Sequence, residues 1–373
     1  MCWRSNGLAR IGFFLLQCFC LFVTAANVAA HENPAVNTFV FLINGAEDHS
    51  VLGSRSSSET VQADQWDAEK IRELAETCKD CNVVLLHVQS PKVKKISHLW
   101  VFARGKSVVS KQVREFTSAN AHALSELLKS AEKLFPFSRI HLIYRAHSFV
   151  DRLHEFAQGL KLANLKAPLS SLIFASCSMA FLEVASAVAP YAKYMIATQT
   201  DVVETQDFGF DYSFLQYVHD DQSEAQVADM IADTLLSSFR VNDDQLEKAY
   251  LSAAPIMESS ITLIRLEQMG GLADRFEKLL QKNRDAIVET CKVTKLVADR
   301  YIHFLKSKQA DVSTYLNWRW DSYAKKNYID LICFLRTLDE GAQLIVEFKA
   351  QLTVRDRPHH STKEGLSFIW EAS

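Results

Sequence analysis

Short apolar runs alternate with helical periodicities through the first two thirds of the chain. Consecutive apolar, β-favouring residues predict buried strands at residues 38–43, 83–88, 140–144, 169–174 and 194–197. Apolar residues at helical spacing predict helices around and between these strands, at residues 65–77, 111–135, 152–162 and 179–188. Because strands that alternate with helices form βαβ crossovers, the pattern predicts an α/β fold with a mostly parallel sheet flanked by helices on both faces.

The rest of the pattern is less regular. Residues 46–62 are polar and rich in serine, which predicts a loop, and residues 98–109 predict a small hairpin. From residue 224 to residue 352 the periodicity is almost wholly helical, and residues 365–370 predict a closing strand. No clean linker separates these parts, so the helical third is expected to lean on the same sheet.

Composition narrows the class of protein without identifying it. The 373 residues are 48% hydrophobic and 23% charged, which is typical of globular proteins and excludes disordered or fibrous chains. With 41 basic and 44 acidic residues the net charge is −3, so no basic footprint for nucleic acid is present. We divide the chain into an α/β core at residues 31–240 and a mainly helical C-terminal subdomain at residues 241–373, which includes the closing strand.

The first thirty residues have the layout of a secretory signal peptide. Arg4 and Arg10 form a basic start, residues 11–23 are apolar, and small residues lead up to Ala30. The pattern predicts cleavage near Ala30 and export of the mature chain, either to a periplasm or outside the cell. An uncleaved N-terminal anchor is the alternative, although the apolar run is short for a membrane span. No later segment resembles a span, so no membrane association is expected after cleavage.

Five cysteines remain after the predicted cleavage: Cys78, Cys81, Cys177, Cys291 and Cys333. An odd number leaves at least one thiol unpaired or paired between chains. The first two form a C-x-x-C without a second such pair, which favours a local disulfide or two plain thiols over a zinc site. Cys291 and Cys333 either pair with each other or are buried thiols, and the sequence does not distinguish these alternatives. Cys177 is the cysteine most simply left over.

Several familiar catalytic and binding signatures are missing. The chain has no G-x-G-x-x-G, G-x-x-x-x-G-K-[ST], H-E-x-x-H or G-x-S-x-G motif. His359 and His360 are adjacent but lie in a segment rich in proline and charge, without a third ligand, so we assign no metal site.

One pair of residues has the chemistry and the placement of a catalytic dyad. His147 follows one predicted strand and Cys177 follows the next. Ligands of open α/β sheets bind at the carboxyl ends of the strands, where neighbouring strands bring such residues together. A thiolate is the reactive form of cysteine, and an imidazole can generate it and then protonate a leaving amine. The alternative is a loop histidine and a small buried cysteine.

The residues around this pair resemble the clostripain family of cysteine peptidases. The resemblance rests on blocks in order and register from about residue 36 to residue 371. The blocks are Asn44-Gly45, Tyr144-Arg145-Ala146-His147, Phe174-Ala175-Ser176-Cys177-Ser178-Met179-Ala180, Glu183-Val184-Ala185, Pro190-Tyr191-Ala192-Lys193-Tyr194, Gly209-Phe210-Asp211-Tyr212, Asp330-Leu331-Ile332-Cys333-Phe334-Leu335 and Gly365-Leu366-Ser367.

The resemblance implies a fold and an activity. The family belongs with caspases, legumains and gingipains, which implies a caspase-like sheet between helices. By position, Cys177 would be the nucleophile and His147 the acid/base, and the backbone N–H groups of Ser148 and Cys177 would bind the oxyanion. Substrates would be proteins or peptides. The resemblance leaves calcium open as a cofactor, but the loops lack the D-x-[DN]-x-[DN]-G spacing.

Two departures from the family pattern affect this hypothesis. Family members usually have glycine directly after the histidine, but this chain has Ser148 there. They usually have an acidic pocket residue two positions before the cysteine, but this chain has Ala175. Preference for a basic P1 residue is therefore in doubt, and Asp201, Glu204 and Asp207 are candidates for a substitute charge.

We predict an exported cysteine endopeptidase of the clostripain type. The alternative is an inactive, caspase-like interaction protein that has kept the dyad by descent. A third hypothesis is a disulfide-handling protein built on Cys78 and Cys81.

Overall fold

The computed structural model describes residues 36–45, 50–52, 60–89, 97–113, 120–146, 152–176, 179–199, 210–240, 261–283, 327–355 and 366–370. Several predicted features lie outside the described residues: the signal peptide at residues 1–30, the adjacent His359 and His360, and the site residues His147, Ser148, Cys177, Asp201, Glu204 and Asp207. Among the helices of the described segments, none is long and apolar enough to cross a bilayer.

Strands and helices are numbered here over the described residues. The strands are β1 Asn37–Asn44, β2 Ser50–Leu52, β3 Thr60–Gln62, β4 Cys81–Val88, β5 Ser97–Ala103, β6 Lys106–Val113, β7 Arg139–Arg145, β8 Leu169–Ala175, β9 Ala192–Thr198, β10 Ile261–Arg265, β11 Asn327–Asp330, β12 Leu352–Arg355 and β13 Ser367–Trp370. The α-helices are α1 Ala63–Thr77, α2 Ala121–Leu134, α3 Leu153–Ala163, α4 Leu182–Val188, α5 Glu224–Arg240, α6 Met269–Lys282, α7 Leu331–Arg336 and α8 Ala342–Gln351. Short 3₁₀ turns lie at Ser213–Gln216 and Asp339–Gly341.

A nine-stranded sheet forms the centre of the fold, in the order β12-β10-β9-β8-β7-β1-β4-β5-β6. The five strands from β9 to β4 are parallel. Antiparallel pairs extend the sheet at both edges, β5 and β6 on one side and β10 and β12 on the other. The prediction of a mostly parallel sheet flanked by helices is confirmed.

Helices cover both faces of the sheet because its central strands are apolar on both sides. On β1, Phe39, Phe41 and Ile43 belong to one hydrophobic cluster, whereas Val40 and Leu42 belong to the other. The first cluster includes residues of α1, α5 and the 3₁₀ turn at Ser213–Gln216. The second includes residues of α2, α3, α4, α6, α7 and α8. This arrangement leaves the ends of the strands as the place where polar side chains gather.

The helix predicted at residues 111–135 is wrong at its start. Residues 106–113 form β6, an edge strand that pairs with β5, and its exposed Lys106 is typical of edge strands. Helix α2 begins only after Asn120, whose side-chain oxygen accepts the N–H of Ala123 at 2.9 Å. This N-cap is the physical start of the helix.

The prediction of an almost wholly helical stretch over residues 224–352 is also wrong in part, because β10, β11 and the start of β12 lie in it. Strand β10 contains Ile261, Thr262 and Ile264, and such β-branched residues favour strands. It pairs antiparallel with β9, and β12 pairs with β10. The domain boundary at residue 240 stays a prediction, although two strands beyond it complete the central sheet.

Two small two-stranded sheets lie outside the central sheet. Strands β2 and β3 pair within the segment predicted to be a loop, which is a further correction. The closing strand predicted at residues 365–370 is present as β13, and it pairs antiparallel with β11. The bridge between Phe181 and Ser367 joins the sheet of β11 and β13 to the segment that follows β8.

Candidate active site

Strands β7 and β8 end side by side, and each ends shortly before one of the two predicted catalytic residues. The strands are parallel and in register, with Arg145 opposite Ala175. Ala146 and Ser176 come next, and His147 and Cys177 directly follow these two residues in the sequence. The structure therefore describes the last residue before each member of the proposed dyad, whereas the dyad itself lies outside the described residues.

Ser176 bonds both backbone polar groups of Ala146. Its hydroxyl donates to the carbonyl oxygen of Ala146 at 2.6 Å and accepts the N–H of the same residue at 3.2 Å. Both residues are buried. Because one rotatable hydroxyl serves as donor and acceptor, the two strand ends are locked in a fixed relation.

Thr198, the last residue of β9, bonds the segment after β8 at two places. Its hydroxyl donates to the carbonyl oxygen of Ser176 at 2.9 Å. Its own carbonyl oxygen accepts the N–H groups of Met179 and Ala180, both at 2.8 Å. The backbone is thus tied to Thr198 on either side of residues 177–178.

Arg145 forms a buried ion pair that also caps the strand ends. Its Nε donates to a carboxylate oxygen of Asp67 at 2.6 Å, and the two side chains are only 8% and 4% exposed. Its Nη1 lies 3.4 Å from the carbonyl oxygen of Ala146 and 3.3 Å from that of Ala175. The guanidinium also lies over the ring of Phe210. Helix α1 is therefore coupled to the ends of β7 and β8 through a charge pair.

The residue at the family's pocket-acid position, Ala175, is fully buried and belongs to the α1-side cluster. Its methyl group supplies no charge, and the cation beside its carbonyl, Arg145, is already paired with Asp67. The described part of the site therefore holds no acid at the position where the resemblance places one.

A buried polar network joins the end of β9 to the two-stranded sheet of β11 and β13. The side-chain amide of Gln199 donates to a carboxylate oxygen of Asp330 at 2.9 Å and to the hydroxyl of Ser367 at 3.0 Å. The other carboxylate oxygen of Asp330 accepts the N–H of Cys333 and so caps α7. Ser367 donates its N–H to the carbonyl oxygen of Ala180 at 3.0 Å. Two elements distant in sequence thus brace the segment that contains Cys177.

A second acid–base pair lies near the ends of β1 and β4. His87 and Asp64 are joined at 2.7 Å between Nε2 and Oδ2. Gly45 is required beside them, because a Cβ there would lie 1.9 Å from that carboxylate oxygen. The N–H of Gly45 donates to the carbonyl oxygen of Val88 at 2.7 Å, which closes the turn predicted after β1. Nearby on β7, burial raises the pKa of Tyr144, which keeps its hydroxyl protonated.

Sequence reasoning missed these supporting groups. One of them left a signal: Asp67 precedes Ile71 and Ala75 at intervals of four, so it lies on the buried stripe of α1. An acid at an apolar helix position indicates a buried charged partner, here Arg145. No comparable pattern marks Thr198 or Gln199.

The sulfur atoms of Cys78 and Cys81 are bonded at 1.97 Å. Both residues are buried in the cluster beneath α1, at 1% and 0% exposure. Disulfide exchange needs access to a sulfur atom, so this burial disfavours the disulfide-handling hypothesis. Cys333 is also disulfide-bonded. Within the described segments no group of three or more His, Cys, Asp or Glu side chains is placed to hold a metal ion.

Comparison with known proteins decides the family. A model of the clostripain family of C11 peptidases matches residues 152–361, which is more than half of the chain. The chain belongs to the clostripain family. The matched segment includes Cys177 and begins shortly after His147. A search of curated protein sequences found no match for this clostripain-family chain.

Solved structures have the same fold as this clostripain-family member. An inactive zymogen of a C11 protease from Parabacteroides distasonis has a TM-score of 0.56 at 14% identity, over 91% of this chain and 92% of that one. A secreted C11 cysteine protease from Bacteroides thetaiotaomicron, bound to an irreversible peptide inhibitor, has a TM-score of 0.57 at 14% identity, over 90% and 93%. At this identity the likeness shows the fold alone, and it agrees with the predicted caspase-like architecture.

Proposed function

We propose that the protein is an exported cysteine endopeptidase in which Cys177 is the nucleophile and His147 the general acid/base. The observation that carries the proposal is the parallel, in-register pairing of β7 and β8, within a chain of the clostripain family. That pairing supports the placement of the two residues at neighbouring strand ends. The family match favours a peptidase over the alternative of an inactive interaction protein.

The proposed reaction proceeds in two stages. His147 removes the thiol proton of Cys177, and the thiolate attacks the carbonyl carbon of the scissile peptide. The N–H groups of Ser148 and Cys177 stabilise the oxyanion. His147 then gives its proton to the leaving amine as the C–N bond breaks, which leaves a thioester. Water, deprotonated by His147, attacks the thioester, releases the new carboxylate and restores the thiol.

We propose that the P1 preference is not basic. The support is the neutral methyl of Ala175 at the pocket-acid position and the compensation of the neighbouring Arg145 by Asp67. A lysine or arginine side chain would therefore find no carboxylate at this position. Three acids outside the described residues stay candidates for a substitute charge: Asp201, Glu204 and Asp207.

We propose that the protein acts after export and that its substrates are proteins or peptides. The sequence pattern before Ala30 supports export, as does the disulfide between Cys78 and Cys81, because disulfides persist in oxidising compartments. One solved structure of the same fold is described as a secreted protease. The predicted signal peptide itself, residues 1–30, lies outside the described residues.

The reactivity of Cys177 tests the proposed nucleophile. In the wild type we expect iodoacetamide to modify Cys177 rapidly at neutral pH, because a dyad thiol is largely ionised there. In His147→Ala the rate should rise only near the ordinary pKa of a thiol. Slow modification of Cys177 at neutral pH in both proteins would instead support the inactive interaction protein.

A further inference from the structure

We propose that Thr198 is a positioning residue, whose hydroxyl orients the peptide group that carries the N–H of Cys177. This inference rests on the proposed function of Cys177. It assigns to the end of β9 a part in catalysis that no motif in the sequence indicates.

The hydroxyl of Thr198 reaches across from one strand to its neighbour. Strands β8 and β9 are parallel and adjacent, with Ile173 opposite Ile196. The hydroxyl donates to the carbonyl oxygen of Ser176 at 2.9 Å, and both residues are buried. Because water does not reach this carbonyl, the hydroxyl is a fixed partner rather than one of many exchanging ones.

Because the peptide group is planar, this hydrogen bond also restrains the N–H group of the next residue. In a trans peptide the carbonyl oxygen and the following N–H point in opposite directions in one plane. A bond that holds the carbonyl of Ser176 therefore also fixes the direction of the N–H that follows it, which belongs to Cys177. An oxyanion donor is effective when its direction is set before the charge develops.

The same threonine also bonds the backbone that follows residues 177–178. Its carbonyl oxygen accepts the N–H groups of Met179 and Ala180, both at 2.8 Å. One residue is thus bonded to the backbone before and after residues 177–178. The neighbouring Gln199, held by Asp330 and Ser367, keeps the end of β9 in place. The hydroxyl of Thr198 therefore lies on a part of β9 that is itself held by hydrogen bonds.

The competing explanation is that the hydroxyl merely satisfies a buried carbonyl. Both explanations predict lower stability when the hydroxyl is removed, but only positioning predicts a selective loss of turnover. Thr38 offers a matched control near the start of β1, at the opposite end of the parallel strands. Its buried hydroxyl is 2.6 Å from that of Ser138 and accepts from the side-chain amide of Asn82 at 3.2 Å.

The test compares Thr198→Val, Thr198→Ala and Thr198→Ser with Thr38→Val, using cleavage kinetics on a peptide that the wild type cleaves. We expect kcat to fall about tenfold or more in the valine and alanine variants, with KM within about twofold. Thr198→Ser keeps the hydroxyl and should stay close to wild type, as should Thr38→Val. Unchanged kcat in Thr198→Val and Thr198→Ala, or an equal loss in Thr38→Val, would overturn the inference.

Amide hydrogen exchange separates this inference from the proposed function. We expect faster exchange in the peptide covering residues 176–181 of Thr198→Val, and wild-type exchange there in Thr198→Ser and Thr38→Val. If the wild type cleaves no peptide, the proposed function fails while this measurement still reports on Thr198. If exchange is unchanged in Thr198→Val, the hydroxyl does not restrain the backbone of residues 176–181 and the inference is wrong.

Discussion

The hydroxyl of Ser176 bonds both the N–H and the carbonyl oxygen of Ala146, which locks the end of β8 to the end of β7. The consequence is that the residues following these two positions start from fixed points on neighbouring strands. A catalytic pair placed there needs little reorganisation to reach its reactive geometry, and this is how binding sites at strand ends gain precision.

Removal of this hydroxyl should affect both stability and activity. In Ser176→Ala the buried polar groups of Ala146 lose a partner, so we expect the free energy of unfolding to fall by about 1–3 kcal/mol. We also expect kcat/KM to fall about tenfold. Ser170→Ala is the control, because its hydroxyl donates to Glu224 away from the candidate site. Urea unfolding and peptide cleavage measure the two effects, and wild-type cleavage by Ser176→Ala would contradict the account.

The ion pair between Arg145 and Asp67 should behave as a coupled unit. Arg145→Met leaves a buried carboxylate without its cation, so we expect a loss of about 3–5 kcal/mol in the free energy of unfolding. Asp67→Leu strands the cation and should cost a similar amount. The double variant should recover much of this loss, because neither charge is then left alone. Additive losses in a double-mutant cycle of urea unfolding would show that the two groups do not interact.

Strand β7 carries a buried histidine that makes stability depend on pH. Burial lowers the pKa of His141 to about 3, while Glu224 opposes and Arg139 reinforces the shift. Its Nδ1 lies 2.7 Å from the hydroxyl of Ser171, and its Nε2 lies 3.2 Å from the side-chain oxygen of Asn37. The folded state therefore holds this ring neutral over a pH range in which the unfolded chain protonates it.

Since the folded pKa is below the unfolded value of 6.5, the unfolded state binds more protons between about pH 6.5 and pH 3. The contribution of His141 to stability is thus fully present above pH 6.5 and is lost as the pH falls. We expect a slope of about 1.4 kcal/mol per pH unit from this group. His141→Gln should reduce the slope. Equal slopes for wild type and His141→Gln in urea unfolding would contradict this.

The cysteines provide a further prediction. The described cysteines, Cys78, Cys81 and Cys333, are all in disulfides. If Cys177 is the nucleophile it must be free, so we expect the partner of Cys333 to be Cys291. Peptide mapping without reduction should show that cross-link and a single alkylated cysteine in the mature chain. A peptide linking Cys177 to Cys333 would mean that the chain is inactive until it is reduced.

Much of the fold is predictable because the central strands are long and apolar. Residues 140–144 and 169–174 lie inside β7 and β8, and all of these residues are buried. The sequence pattern does not predict β10, because a run of five residues between helical patterns is too short to show the alternation of a strand. Antiparallel pairing with β9 stabilises the extended conformation of these five residues.

The candidate site divides in the same way. For His147 and Cys177, residue type and position after apolar runs suggest a dyad, and the clostripain-like blocks around them favour it. Their catalytic roles stay a prediction. The groups that support the strand ends are predictable only in part, since Thr198 and Asp67 act on residues far away in the sequence. The apolar stripe of α1 indicates that Asp67 has a buried charged partner but not which residue that is. Their roles depend on which strands become neighbours, and the local pattern does not contain that information.

Cleavage of a mixed peptide library by the mature protein, read by mass spectrometry, tests the central claim most directly. Cys177→Ala and His147→Ala are measured beside the wild type. The account predicts cleavage by the wild type, none by either variant, and a P1 residue other than lysine or arginine. Cleavage that persists in Cys177→Ala, or no cleavage by a wild type whose Cys177 also resists alkylation, would contradict it.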